Sequence, residues 1–521
     1  MRLKVFVYAC AWCGFCFNAF GCFLLQRFAQ DKGMQKLLKT MIGACSAVAF
    51  LGQPVLAQAQ QGQARTLAES VEQAVMTNPH IGAMYKDFHS ALEGQSVTRG
   101  ELLPEVNAQG WVGREWRHKS STSWNRRGYG LDLRQLVFDG FSTLNLVRQL
   151  GLEKLGSYFE LMETVDSIAL EAAQAHLDVQ RYREMVDLAR DNYDLHLNIF
   201  KQIEERQISG IGRGVDLEQA HGRQALAQSN LMTEAGNLND VEQRYQRIIG
   251  HSAPATLVDN LDGDSYIPQQ PDSFSQFLQV NPSILAKQAF VQAAESGVKS
   301  ARGRLSPTLE LRASTGRDKN EPPHINNNLN GRSSSVQLLM SYNIFRGGSD
   351  SARIRQTIAQ EDAAREVRDY TCRNVQQELT IAWNNIHRLQ EQIPFLEQHE
   401  LATSKVRVAY MQQFQIGQRT LLDLLDTENE LFDARRALAN ARYDLKQAQL
   451  RWLTYAHRLL NALDLAEPYD EMPDEVEELA LPEESIAACT APMPDLSNIE
   501  PIHVEYRSGN QPPVLKGSGW N

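Results

Sequence analysis

The sequence predicts a mainly α-helical protein in which two repeats each combine a pair of β-strands with a pair of long helices. Three observations support this fold class. The chain matches itself at an offset of 203 to 207 residues, its four strand candidates alternate apolar and polar positions, and its longest segments place apolar residues at intervals of three and four. A repeat of this length far exceeds solenoid periods, which indicates duplication of a whole half of the molecule.

The beginning of the chain has the pattern of a secretory signal peptide. Residues 34–59 combine two lysines, an apolar segment over Met41–Leu51 and small residues at a cleavage point. We expect residues 1–33 to be an upstream mis-start or an unusual extension. Past the signal, the sequence has no apolar stretch of the roughly 18 residues that a membrane helix needs. An exported chain of this kind can cross a membrane only through β-strands.

Matching landmarks define a first repeat over residues 66–250 and a second over residues 273–460, joined by a linker over 251–272. Each landmark of the first repeat has a counterpart in the second. Asn78-Pro79 corresponds to Asn281-Pro282, and Pro104 corresponds to Pro307. Val137-Phe138-Asp139-Gly140 corresponds to Ile344-Phe345-Arg346-Gly347, Gly210 to Gly417, and Asp216 to Asp423. Residues 461–521 follow as an acidic, proline-bearing tail that we expect to be mostly disordered.

Each repeat contains two predicted strands separated by a polar loop. They cover about 105–116 and 128–137 in the first repeat and about 308–317 and 333–345 in the second. Segments of about ten alternating residues fit the tilted strands of an outer-membrane barrel, and they fit soluble hairpins packed on helices equally well. Four strands cannot close a transmembrane barrel, so a spanning barrel requires several chains. Three chains would supply twelve strands and two would supply eight.

The long helices are predicted over about 141–208 and 215–249, and over about 349–414 and 421–459. Their apolar spacing is that of coiled coils, and about 68 residues of helix extend on the order of 100 Å. A periplasmic coiled-coil hairpin without a channel would show the same spacing.

Cysteine usage predicts neither a disulfide framework nor a structural zinc site. Five of the seven cysteines precede residue 60, where Cys10, Cys13 and Cys16 lack a second pair of ligands. We expect Cys372, which lies on the apolar face of a long helix, to act as a small buried hydrophobe. Cys489 lies in the tail and has no evident partner.

Taken together, several motifs resemble the TolC family of trimeric outer-membrane channels, and the resemblance covers about residues 66–460. The residues that carry it are both Asn-Pro pairs, the breaks at Pro104 and Pro307, Val137-Phe138-Asp139-Gly140, Ile344-Phe345-Arg346-Gly347-Gly348 and the segment from Gly417 to Asp426. The resemblance implies a trimeric twelve-stranded outer-membrane β-barrel that continues into a long α-helical periplasmic tunnel. It also implies a periplasmic adaptor and an inner-membrane transporter as partners. The segment Arg134–Phe141 is most similar to the type I secretion branch, which includes agglutination-type proteins that export large adhesins.

The resemblance also implies a gate at the periplasmic tip. Asp423 and Asp426 align with a ring of carboxylates, Arg419 with a basic residue that bonds to a neighbouring helix in the closed tunnel, and Asp216 with its acidic partner. Three copies of the two aspartates would surround one axis with six carboxylates, which would raise their pKa values and attract cations. The alternative is a solvated acidic helix face.

Two residues depart from the family pattern at this tip. Val215 stands where the family often has threonine, and Phe414 stands where it often has tyrosine. Phenylalanine donates no phenolic hydrogen bond, so we expect one tie across the closed mouth to be missing.

Composition limits the remaining classes of function. A net charge of −11 argues against nucleic acid as a partner. The sequence contains no HExxH, GxSxG or Walker motif, which argues against an enzyme and predicts no cofactor. The predicted function is therefore the outer-membrane exit duct of a type I secretion system that includes an ABC transporter and an adaptor. The alternatives are the outer-membrane component of a small-molecule efflux pump and a periplasmic structural protein.

Overall fold

The structure is a computed structural model that describes residues 64–117, 122–269, 274–320, 331–469, 473, 475–476, 479, 481–492, 503–505 and 514–516. The predicted signal peptide at 34–59, the extension at 1–33 and most of the loop expected around 320–330 lie outside the described residues.

The helices form two similar series. The first repeat contains α1 (Leu67–Thr77), α2 (Pro79–Gly100), α3 (Ser142–Ile208) and α4 (Gly214–Ile249). The second contains α5 (Ser275–Val280), α6 (Pro282–Gly303), α7 (Ser349–Gln415) and α8 (Leu421–Tyr455), followed by the short helices α9 (Leu459–Ala462) and α10 (Glu483–Cys489). Helix α8 ends before the predicted boundary at 459, because His457 has a left-handed backbone with φ of 53°. None of the described helices is both long enough and apolar enough to span a membrane.

The two Asn-Pro pairs start equivalent helices in the two repeats. The Asn78 side chain accepts a hydrogen bond from the His80 amide, and the Asn281 side chain accepts from the Ser283 amide. Each following proline occupies the first helical position, where its missing N–H costs no hydrogen bond. The pairs therefore fix the points at which α2 and α6 begin.

The four long strands form one antiparallel sheet in the order β2-β3-β5-β6. The strands are β2 (Glu105–Arg117), β3 (Thr122–Phe138), β5 (Thr308–Asn320) and β6 (Gly331–Ser341). Two-residue strands β1 (Arg65–Thr66) and β4 (Leu257–Val258) pair in parallel, and β7 (His503–Glu505) pairs with β8 (Val514–Lys516).

The strand boundaries differ most from the prediction at the start of β3 and at the end of β6. Strand β3 begins at Thr122, whereas the predicted strand begins at about 128. Its first residues, 122–127, are polar except for the buried Trp124, so they show no alternation of apolar and polar positions. Strand β6 ends at Ser341 rather than 345, because Ser341 pairs with Thr308, the first residue of β5.

The sheet has one polar face and one apolar face. The polar face carries Asn107, Gln109, Asp132, Arg134, Arg312, Ser314, Ser335 and Gln337, which the register places opposite one another. The other face carries Val106, Val112, Leu131, Val336, Leu338 and Met340, all solvent-exposed in the single chain, with Val112 at 87%. β2 and β6 are the outer strands and have unpaired edges among the described strands. Such an apolar, open-edged sheet requires a covering environment and further strands.

Helix α3 is the centre of the helical packing. It contacts α1, α2, α4, α6 and α8, while α7 contacts α6 and α8. The main core includes the fully buried Tyr245, Phe274 and Trp452. A second, separate core lies where both helical hairpins turn.

The described part of the C-terminal tail is folded, which corrects the expectation of disorder for those residues. Helix α10 packs against α5 and α7, and Ile486 and Cys489 belong to the main core. Cys489 forms a disulfide bond with Cys372, 117 residues earlier. Cys372 is buried as expected, but it is bonded to Cys489, for which the sequence showed no evident partner. The two half-cystines lie in different segments, so sequence spacing contained no sign of the pair.

A neutral histidine lies in the main core. The Nδ1 atom of His176 is 2.9 Å from the Ser70 hydroxyl, which also contacts the Tyr245 hydroxyl at 3.3 Å. Burial lowers the pKa of His176 to about 4, from an ordinary value of 6.5. Between pH 6.5 and about 4, His176 is therefore protonated in the unfolded chain and neutral in the folded chain.

We expect the fold to lose about 3 kcal/mol as the pH falls from above 6.5 to about 4, because the unfolded state alone gains a proton at His176 in this range. His176→Gln should flatten this part of the profile. Unfolding in urea, followed by circular dichroism between pH 7.5 and 4.5, measures it. His399→Gln, at an exposed helix position, is the matched control. An unchanged slope in His176→Gln would assign the acid sensitivity to other groups.

Candidate functional site

The tip is the region where both helical hairpins reverse direction. Gly210 and Gly417 each have φ of 76°, the left-handed conformation that glycine adopts without strain. In both turns the space around the glycine is open. The tip turns therefore lie at equivalent positions of the two repeats.

Phe414 joins the two hairpins rather than facing solvent. It is buried together with Ile199 and Ile203 of α3 and with Leu421 and Leu424 of α8. The guanidinium group of Arg206 lies 4.9 Å from the centre of the Phe414 ring. The residue that lacks a phenolic hydrogen bond thus contributes apolar burial and a cation–π contact instead.

Asp423 is occupied in capping α8. Its carboxylate accepts hydrogen bonds from the Thr420 hydroxyl at 2.8 Å and the Thr420 amide at 3.3 Å, while the Asp423 amide donates to the Thr420 hydroxyl. Hydrogen bonds from Thr420, helped by the nearby Arg419, lower the pKa of Asp423. In the single chain this is opposite to the increase expected from neighbouring carboxylates, because the local donors dominate.

Asp426 pairs with an arginine of the first repeat. The Arg223 guanidinium on α4 donates to the Asp426 carboxylate on α8 at 2.6 Å. The two side chains are 34% and 56% exposed, so solvent weakens their attraction. This pair connects the first and second hairpins near their turns.

A second and better-shielded pair connects the same two helices. Arg436 of α8 donates to Glu234 of α4 at 2.7 Å, and only 8% of the Glu234 side chain is exposed. Asn237 donates a further hydrogen bond to the Glu234 carboxylate at 3.1 Å. Removing the cation would leave this carboxylate buried without a counter-charge.

Arg419 interacts within its own hairpin. It donates to Gln413 at 3.1 Å, lies 4.2 Å from the centre of the Tyr410 ring and comes within 3.8 Å of Asp423. Asp216 lies half-buried in the first turn of α4. The single chain does not bring Arg419 and Asp216 together, so a bond between them remains a prediction about neighbouring subunits.

The strand-to-helix turns contain the other predicted positions. Gly140 and Gly347 both have positive φ, at 70° and 61°. The Phe138 ring makes an edge-to-face contact with Phe141 at 5.5 Å, and Phe345 is exposed. The sequence motifs therefore mark equivalent turns, and only the first turn packs closely against the end of α6.

Comparison with known proteins identifies the family of this chain. The family model described as "Outer membrane efflux protein" matches residues 70–251 and 274–454. The chain belongs to the outer membrane efflux protein family. It is 24% identical to the outer membrane protein TolC of Escherichia coli (strain K12), over 83% of this chain and 88% of that protein. It is 23% identical to the alkaline protease secretion protein AprF of Pseudomonas aeruginosa, over 75% of this chain and 84% of that protein.

The fold is that of a solved outer-membrane channel. The CmeC outer membrane channel of Campylobacter jejuni superposes with a TM-score of 0.69 at 14% identity, over 79% of this chain and 88% of that chain. The predicted resemblance to the TolC family is thereby confirmed, as is the expected location in the outer membrane. Members of the outer membrane efflux protein family are channels, and the two-faced sheet above long helices suits that function.

Sequence reasoning missed three charged residues that connect α4 and α8, namely Arg223 near the turns and Glu234 and Arg436 farther along the helices. A signal for them existed in the repeat itself. Adding the repeat offset of 207 to Arg223 gives position 430, which lies one helical turn from Asp426. Equivalent positions of α4 and α8 lie at the same distance from the two turns, so opposite charges near such positions could have been predicted to pair. The spacing of Thr420 and Asp423 was likewise that of a capping box.

Proposed function

We propose that this outer membrane efflux protein is the exit duct of a type I secretion system and passes an unfolded protein, such as a large adhesin, to the exterior. An inner-membrane ABC transporter and a periplasmic adaptor would complete the path. The observation that supports a duct is the two-faced, open-edged sheet at one end of helices about 100 Å long. The similarity to a protein named for protease secretion favours polypeptide cargo.

A homotrimer explains the sheet best. Three chains would join their outer strands, β2 and β6, and satisfy every edge within lipid. Their apolar faces would contact the membrane, and the polar faces would surround a water-filled lumen of twelve strands. The helices below would then enclose a tunnel in the periplasm.

The second candidate is the outer-membrane component of a small-molecule efflux pump, which the family description itself favours. Deleting the gene in its own host separates the two. Loss of a secreted or surface protein with unchanged drug susceptibility supports secretion. Increased susceptibility to small toxic compounds with an unchanged set of secreted proteins supports efflux.

We propose further that the tip is the gate of the duct. Asp423 and Asp426 lie three residues apart on one face of α8, so three subunits would place both around the tunnel axis. Phe414 and the Arg223–Asp426 pair support the closed form within each subunit, and Arg419 and Asp216 would act between subunits.

Replacing Asp423 and Asp426 together by asparagine should reduce the selectivity of the trimer for cations, because up to six negative charges leave the mouth. The reversal potential in planar bilayers under a salt gradient measures selectivity directly. Block by divalent cations should weaken in parallel.

Two control variants separate charge from local structure. Thr420→Val removes the cap of α8 but keeps both carboxylates, so it should retain selectivity. Replacing both aspartates by glutamate should do the same. If the asparagine variant keeps the reversal potential of the wild type, these carboxylates do not line the passage.

A further inference from the structure

The segment after α8, which we call the strap, crosses both repeats. It comprises the described residues between His457 and Pro492. It first contacts α3 and α2 of the first repeat, and its helix α10 then packs on α5 and α7 of the second. The strap therefore connects elements that belong to different repeats.

Polar and aromatic contacts attach the first part of the strap. The His457 ring lies 2.6 Å from the buried Asp166 carboxylate of α3. Tyr469 stacks on Tyr85 of α2, with ring centres 4.4 Å apart. Glu475 pairs at 2.7 Å with Lys154, whose side chain is 90% buried. Each contact fixes one described point of the strap on the first repeat.

The last buried part of the strap has little independent stability. Helix α10 has seven residues, which is too short to be stable alone in water. The strap is also rich in Asp and Glu, in a protein that already carries a net charge of −11. Ile486 supplies apolar burial, and the covalent bond from Cys489 to Cys372 supplies the remaining attachment.

We propose that Cys372 and Cys489 are an oxidation site that is closed after export and clamps the strap across the two repeats. The Cα atoms lie 5.9 Å apart, within the usual range for a disulfide. The two thiols lose two protons and two electrons as the S–S bond forms. A thiol–disulfide oxidant of the exporting compartment accepts the electrons through a mixed disulfide.

The order of events follows from burial. Both sulfurs are shielded in the folded chain, with at most 7% of either residue exposed. The oxidant therefore acts before α10 docks, and the finished bond is protected from reductants afterwards. The bond is thus a permanent clamp, and it does not depend on which cargo the channel exports.

Glutamyl endopeptidase provides a direct test on the processed, full-length protein, because the strap contains Glu467, Glu475 and Glu484. In the oxidised wild type, the fragment that follows Glu484 should stay attached in gels without reductant and separate after reduction. In Cys372→Ser with Cys489→Ser, the fragment should separate without reductant. Cleavage should be at least about 10-fold faster, and the apparent Tm should fall by roughly 5–10 °C.

Two comparisons keep the test decisive. Ile486→Ala weakens the packing of α10 but leaves both cysteines, so its fragment should still separate only after reduction. Reduction of the wild type in mild urea, followed by removal of the urea, gives the unclamped state without any substitution. Release of the wild-type fragment without reductant would show that the bond is absent. Equal cleavage rates and Tm values for the clamped and unclamped proteins would show that the bond holds nothing in place.

Discussion

Arg436→Met should shift α4 and α8 from the bridged arrangement toward a separated one by about 30-fold. The substitution leaves the Glu234 carboxylate buried without its cation, and because Arg436 itself is 38% exposed, the loss is about 2 kcal/mol rather than the 3–5 kcal/mol of a fully buried pair. Each 1.4 kcal/mol corresponds to about a tenfold change in an equilibrium. Separation of α4 from α8 would hydrate the carboxylate and relieve this cost. Single-channel recordings in planar bilayers at low voltage measure this shift as an increase in the frequency of channel openings.

Arg223→Ser should have a much smaller effect, although its pair with Asp426 lies closer to the turns. Exposed pairs contribute about 0.2–1 kcal/mol, which predicts a change of only a few-fold. The comparison tests whether burial of the acidic partner, rather than the position of the pair at the mouth, determines how firmly the two hairpins are held together.

The double variant Arg436→Met with Glu234→Met is the decisive control. Replacing both members of a shielded ion pair by apolar side chains of similar size is often neutral or stabilising, so the double variant should conduct like the wild type. Arg442→Met is the matched control for removing an arginine from α8, since its pair with Glu397 is largely exposed. The gate proposal fails at this point if Arg436→Met conducts like the wild type, or if the double variant conducts like the single one.

The features that could be predicted from the sequence are those that the repeat and local chemistry determine. Asn78-Pro79 and Asn281-Pro282 indicated helix starts because an Asn cap and a Pro at the first position act within a few residues. The alternation in β5 predicted a two-faced strand, because the side-chain period of a strand is fixed by its backbone.

The features that could not be predicted depend on contacts between distant segments. Cys372 and Cys489 meet only because α10 returns to α7 across the main core. Asp423 was expected to be one of a group of free carboxylates, yet the nearest donors are on Thr420, in the same turn. The strap was predicted to be mostly disordered because its composition is acidic. That composition gave no information about its contacts with Lys154 and Asp166 on α3.

Gly140→Ala should destabilise the folded chain far more than Gly347→Ala, although the two glycines occupy equivalent turns. A Cβ atom at Gly140 would lie 2.3 Å from the Gly303 carbonyl oxygen and 2.5 Å from the Ser306 Cβ atom. Around Gly347 no described atom lies within 4 Å of the added carbon. Both substitutions incur the left-handed strain of about 1–2 kcal/mol. Only Gly140→Ala adds steric overlap, for a total on the order of 4 kcal/mol.

The consequence reaches beyond the turn because Gly140 and Gly303 lie at the junction of the two repeats. The start of α3 and the end of α6 approach each other closely enough that neither backbone tolerates an added carbon. Displacing one from the other would disturb the packing of α3 on α6 and the register of β3 with β5. We therefore expect Gly140→Ala to lower the amount of heat-resistant trimer in outer-membrane fractions sharply, while Gly347→Ala retains most of it. Equal losses in the two variants would mean that backbone strain, and not the contact between the repeats, controls assembly at these turns.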